Sequence, residues 1–207
     1  DELIVVADDG LATVYHNHLL SDFGFGTCFD HGDLTTLGNL VDGDTDELIV
    51  GNLFDDWIYI YRGDGSQFGY TSLPGISELE ADDRIACANL DGSGYDQLIL
   101  VDESEDRFHI FSFDPATGTF DEHASFDLRF DEDDHLLAGD FLDTSYEELA
   151  VCRARRANHH LAGEVEFFSY DHLGTLGERH ELERLLKPTG LWASQLDPDW
   201  TSEGYLL

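Results

Sequence analysis

The sequence predicts an all-β fold, a β-propeller of four-stranded antiparallel blades, on three observations. A short apolar run preceded by turn residues recurs about every fifty residues, and further runs with strand alternation follow each copy. No stretch leaves room for the long helical crossovers that a parallel α/β fold needs.

The recurring run is read at Asp1-Glu2-Leu3-Ile4-Val5-Val6, Asp46-Glu47-Leu48-Ile49-Val50, Asp96-Gln97-Leu98-Ile99-Leu100 and Glu147-Glu148-Leu149-Ala150-Val151, with Glu203-Gly204-Tyr205-Leu206-Leu207 as a weaker fifth copy. A second run follows at 12–15, 57–61, 107–111 and 165–170. Turns come next, at Gly63-Asp64-Gly65, Asp114-Pro115-Ala116-Thr117-Gly118 and Asp171-His172-Leu173-Gly174. A third strand is expected near 70–73, 122–128 and 179–185, the last inside a helix-like stretch, 178–187, that we read as strand from its place in the repeat. A fourth leads into the next repeat at 37–40, 85–90, 136–141 and 191–196.

The repeats therefore span 1–45, 46–95, 96–146 and 147–202, with 203–207 starting a further unit of a single domain. Four strands with short turns suit a blade that buries both faces against its neighbours. A closed ring of about four blades would not need the first strand type twice. The chain is expected to be part of a larger propeller of about six to eight blades, or to complete a neighbouring blade with its final strand.

With 42% hydrophobic and 12% aromatic residues, the 207-residue chain has a folded protein's composition. Its net charge of −35 comes from 45 acidic against 10 basic residues, and Lys187 is the only lysine. Such self-repulsion calls for counter-ions, which points to a calcium-rich extracellular medium or cell surface, or to the cytoplasm or a virion of a high-salt organism. It argues against nucleic acid and anionic membrane as partners, because both contacts rest on attraction to phosphate. No apolar run is long enough for direct membrane insertion. The absence of methionine and the start at Asp1 suggest that an initiator or leader was removed, or that the chain is a piece of something longer. Cys28, Cys87 and Cys152 lie far apart, without metal or redox spacing, and are expected to be buried and unpaired.

The loop before the third copy, Asn89-Leu90-Asp91-Gly92-Ser93-Gly94-Tyr95-Asp96-Gln97-Leu98-Ile99-Leu100, resembles the FG-GAP repeat, also called the VCBS or integrin-α-like repeat, and the likeness extends over the whole chain as repeats. The resemblance implies a propeller, Ca2+ held by D-x-D/N-x-D-G-x-x-D loops, and a rigid platform that presents loops to a protein or glycan. Oxygen ligands at alternate positions, with a backbone carbonyl at the seventh and a carboxylate at the ninth, can converge on one ion. Gln195, Asp197, Asp199, the Thr201 carbonyl and Glu203 fit that spacing with three carboxylates. Asn89, Asp91, Ser93, the Tyr95 carbonyl and Gln97 fit it with one. The two other loops carry Val41 and Leu142 where a ligand should stand. Asn39, Asp42, Asp44 and Glu47 could form an irregular site, whereas Asp140 and Glu148 are too few.

His16-Asn17-His18 matches a nuclease signature only as a string, and His159-His160 would face opposite sides of a strand, so both pairs read as solvated loop histidines. Nucleophile-elbow, P-loop and dinucleotide fingerprints are absent, and no catalytic residue is assigned. Arg153, Arg155 and Arg156 concentrate positive charge in what reads as the longest insertion between two strands. They serve either as a contact for an acidic partner or as neutralisers of nearby acidic loops. Trp57 starts an apolar strand and reads as packing, whereas Trp200, inside an acidic loop, is placed to stack on a partner. A non-enzymatic binding or scaffolding module is the first reading. A carbohydrate-active enzyme on a propeller and a structural subunit of a halophilic assembly are the alternatives.

Overall fold

The recurring apolar runs at 47–52 and 97–102 form strands buried on both faces, which is why Leu, Ile and Val follow one another there without the polar alternation of a one-sided sheet. In the computed structural model, which describes residues 2–6, 11–16, 20–27, 29–30, 32–41, 45–131, 134–141, 146–157, 160–168 and 180–181, four antiparallel sheets follow one another along the chain. The first holds β1 (Glu2–Val6), β2 (Leu11–His16) and β3 (Leu20–Gly26). The second holds β4 (Leu34–Gly38), β5 (Glu47–Asn52), β6 (Trp57–Tyr61) and β7 (Gln67–Thr71). The third holds β8 (Arg84–Ala88), β9 (Gln97–Asp102), β10 (Arg107–Asp114) and β11 (Thr119–Asp127). The fourth holds β12 (His135–Gly139), β13 (Glu148–Ala157), β14 (His160–Phe168) and β15 (His180–Glu181). In every sheet the strands lie in chain order, and the described residues contain no helix.

The strand expected to close each repeat pairs forward, with the apolar run that follows. β4 meets β5 from Leu34↔Gly51 to Gly38↔Glu47, β8 meets β9, and β12 meets β13 in the same phase. A sheet is thus the end of one sequence repeat joined to the start of the next. The first sheet has three strands among the described residues, and 191–196, the remaining expected copy of that strand, lies outside them.

Alternate side chains of one strand enter different cores. Leu48 and Val50 pack with Ala12 and Tyr61 towards the first sheet, while Ile49 joins Leu98, Leu100 and Phe111 of the third. Ile99 and Val101 in turn face Leu149, Val151 and Phe168 of the fourth. The register repeats as closely as the sequence: a bulge falls at Val14/Tyr15, Ile60/Tyr61 and Ile110/Phe111, opposite Leu3, Leu48 and Leu98. β8 contacts both β4 and β12, and a Cβ on Gly38 would sit 2.2 Å from Cys87 Cβ. Cys87 is buried and Cys152 half-buried, and both are free thiols; Cys28 lies outside the described residues.

The arginine-rich segment after Cys152 is not an insertion. β13 and β14 stay in unbroken register from Leu149↔Phe168 to Ala157↔His160, so this stretch is the far end of a long hairpin, and His160 is the first residue of a strand rather than a loop residue. Within 178–187 the described residues are His180 and Glu181, which pair as a strand with Phe167 and Glu166.

Candidate functional site

At one end of the sheets, the loops entering β5, β9 and β13 are tied by the first residue of each strand. Glu47 Oε2 accepts the amides of Leu40 and Val41 at 2.8 and 3.1 Å, Gln97 Oε1 accepts that of Leu90 at 2.8 Å, and Glu148 Oε2 accepts that of Phe141 at 2.9 Å. All three side chains are buried. The residue before each of the last two strands reaches the preceding sheet: Asp96 Oδ2 accepts the Asn39 amide at 2.8 Å, and Glu147 Oε2 accepts the Asn89 amide at 2.6 Å. Burial, with the Glu147 and Asp46 charges adding to it and against the Asn39 hydrogen bond, raises the Asp96 carboxyl to about 6.

These contacts decide how loop 89–97 fits a calcium ion. Gln97, placed as the ninth-position ligand, points inward, with its oxygen on Leu90 and its Nε2 donating to the Tyr95 carbonyl at 3.1 Å. That carbonyl, the expected seventh-position ligand, also accepts from Ser93 Oγ at 3.2 Å. Asp91 Oδ1 closes a local turn on the Ser93 amide at 2.8 Å, and Asn89 Oδ1 lies 3.4 Å from the Gly94 amide. In this arrangement the Gln97 oxygen is taken by the Leu90 amide and the Tyr95 carbonyl by two side-chain donors. The loop holds itself, helped by positive φ at Gly92 and Gly94, with Gly92 lying against the Tyr146 ring. Gln195, Asp197, Asp199, Thr201, Glu203 and Trp200 lie outside the described residues, as do 42–44 of the irregular loop.

The opposite end carries a pattern that single residues did not betray. Asp33, Asp83 and Asp134 each stand immediately before β4, β8 and β12, and each accepts the amide three residues earlier, Asp30 at 2.8 Å, Glu80 at 2.9 Å and Asp131 at 3.1 Å. Asp33 and Asp83 also accept the amides of Leu53 and Glu103 in the next hairpin, at 2.9 and 3.3 Å. Their spacing of about fifty residues is in the sequence, hidden among 45 acidic residues.

Arg153 belongs to this end and is not an exposed contact. It is 8% exposed, and its guanidinium donates to Asp134 Oδ2 at 2.9 Å and to Glu166 Oε2 at 3.1 and 3.2 Å. The neutralising role expected for the arginines is the one it fills, since a guanidinium between two buried carboxylates satisfies both. Arg155 and Arg156 lie on β13, with side chains outside the described residues.

Trp57, expected to pack inside, is 37% exposed at the start of β6. Its ring lies 4.9 Å from that of Tyr70, which stacks on Tyr59 at 5.4 Å, and Phe54 in the adjoining turn is 95% exposed. Trp57, Tyr70 and Tyr59 form an aromatic group on the second sheet, beside Asp55, whose carboxylate accepts from the Tyr59 hydroxyl and the Trp57 amide.

No family model matches the chain, and no curated protein matches its sequence. Among solved structures it is similar to one described as the crystal structure of BBS1N in complex with ARL6DN, soaked with lead, at 13% identity with a TM-score of 0.46. That match covers 88% of this chain and 64% of the other, so the chain spans less than two thirds of that structure.

Proposed function

We propose that the chain is a non-enzymatic β-propeller module of the FG-GAP type that docks another macromolecule through the aromatic group of the second sheet. The observation that supports this reading is the exposure of Phe54, Trp57 and Tyr70 together on a strongly acidic surface. Aromatic side chains left in water together are costly unless a partner covers them, and they anchor interfaces well because little rotamer freedom is lost. The surrounding negative charge favours a protein partner with a basic rim and speeds its encounter.

Binding of basic peptides and of an arrayed glycan set separates the readings. Saturable binding of a basic peptide without product, weakened about tenfold or more in Trp57→Ala at unchanged circular dichroism, supports the module. Binding confined to glycans moves the partner to carbohydrate, and polysaccharide turnover overturns the non-enzymatic reading. Calcium belongs to this proposal through loop 195–203: adding it to chelator-treated protein at low salt should raise Tm. A sample that unfolds at low salt and is rescued by salt but not by calcium belongs to a halophilic assembly instead.

A further inference from the structure

Three equivalent positions meet at the hairpin end of each of the last three sheets. They are the aspartate before the sheet's first strand, the residue four beyond Leu48, Leu98 or Leu149, and the residue paired with Val50, Leu100 or Val151. In the second sheet these are Asp33, Asn52 and Tyr59, and Asn52 Nδ2 donates to Asp33 at 2.9 Å. In the fourth they are Asp134, Arg153 and Glu166, joined by the buried guanidinium. Each of these sheets places a donor opposite the aspartate.

The third sheet does not. Its set is Asp83, Asp102 and His109, so a carboxylate stands where Asn52 and Arg153 donate. Arg107, across the ladder from Asp102, gives its Nη2 to Ser125 Oγ at 3.2 Å, and among the described residues no ion pair joins an arginine to Asp83 or Asp102. Asp102 Oδ1 accepts the Ser104 hydroxyl and the Glu105 amide of its own turn, at 2.8 Å each, so no cationic donor stands between the two carboxylates, and like charges facing one another are unfavourable at short range. Burial foremost, with the Asp102 charge adding, raises the Asp83 carboxyl to about 6.

His109 supplies the second, independent indication. It is 7% exposed, and its Nδ1 lies 2.9 Å from Glu122 Oε1. A carboxylate only accepts, so Nδ1 donates to Glu122, and Nε2 is left as a buried atom without a hydrogen-bond partner. This carboxylate–imidazole arrangement is the one that orients metal-ligating histidines. A nitrogen of His109 and carboxylate oxygens of Asp102 and Glu105 all lie within 4.8 Å of one another. They line a cleft of about 140 Å³ between this hairpin and the segment that carries Ser77, Glu80 and Asp83.

We infer that Asp102, Glu105 and His109 form a divalent-metal site, with the cation taking the place that the Arg153 guanidinium fills one sheet later. One imidazole with two carboxylates suits a borderline cation of the zinc class better than calcium, which prefers an all-oxygen shell. Asp83 already holds two backbone amides and contributes charge rather than a ligand bond. Glu122 is a positioning residue. Water completes the coordination, and the cleft leaves room for it.

The test is zinc titration by calorimetry into tag-free, chelator-treated protein, in a background of millimolar calcium that saturates any oxygen-only loop. The wild type should bind one tight equivalent that disappears in Asp102→Asn and in His109→Gln, and weakens about tenfold or more in Glu122→Gln. Asp102→Asn installs the amide already present at Asn52, so it keeps the test valid if His109→Gln does not fold. Absence of a tight equivalent in the wild type, or its persistence in a folded Asp102→Asn variant, overturns the site. Neither result depends on the aromatic docking surface or on calcium at 195–203.

Discussion

Glu147 holds Asn89 by both sides of its backbone: the carboxylate accepts the Asn89 amide at 2.6 Å, and the Asn89 carbonyl accepts the Glu147 amide at 3.2 Å. Asp96 does the same to Asn39, at 2.8 Å for each bond. A residue of one sheet thereby binds the loop of the sheet before it, across 57 and 58 residues of chain. Removing either acceptor leaves a backbone amide without its partner. Glu147→Ala and Asp96→Ala should each lower stability by about 1–3 kcal/mol in urea unfolding, while Asp96→Asn, which keeps an acceptor oxygen, should lose less.

Asp96 also makes a pH prediction. Its folded value of about 6 lies above the ordinary 3.8, so between those values the native state binds the proton more readily than the unfolded state. Its contribution to stability therefore falls as pH rises from about 4 to about 6 and is recovered on acidification. The slope of Tm against pH in that window should be less negative in Asp96→Asn than in the wild type; an unchanged slope would show that Asp96 titrates as an ordinary surface carboxylate.

Gly38 should tolerate no side chain. An added methyl would lie 2.2 Å from Cys87 Cβ and 2.7 Å from its sulfur, where β4 and β8 approach. Gly38→Ala is expected to cost about 1–3 kcal/mol, as overpacked cores do, and combining it with Cys87→Gly should recover part of that loss. Additive losses in the double-mutant cycle would place the strain elsewhere.

Arg153→Met should be among the most damaging single changes in the described residues. It strands Asp134 and Glu166 as buried carboxylates, at a cost of about 3–5 kcal/mol in denaturant unfolding. The exposed pair Arg129–Asp131 provides the control, and Arg129→Met should change stability by less than about 1 kcal/mol.

Glu47→Gln should be nearly silent and Glu47→Ala should not. Gln97 performs the same amide capture in the third sheet without a charge, so hydrogen-bond acceptance is the property required. A loss of about 1–3 kcal/mol is expected for alanine alone.

The sheets were legible in the sequence because their central strands are buried twice over, and a run such as Leu98-Ile99-Leu100 cannot be hidden by surface chemistry. The phase of the sheets was not. Residues 34–38 and 84–88 end one repeat and pair with the start of the next, which only the register reveals. Arg153 was misplaced because its strand reads Cys-Arg-Ala-Arg-Arg-Ala, in which charge obscures the alternation. Asp102 and His109 were invisible for another reason. Each is ordinary alone, and their meaning comes from comparison with Asn52, Arg153, Tyr59 and Glu166 at matched positions, which requires the fold.

Because Leu48 and Val50 look one way and Ile49 the other, the second sheet shares its apolar residues with the sheets on both sides of it. Each apolar layer is the joint property of two neighbours, so a boundary cut between consecutive sheets bares an oily flank on both fragments. The converse is an arithmetic of growth: one more unit of about fifty residues brings one more shared layer and leaves those already present as they were.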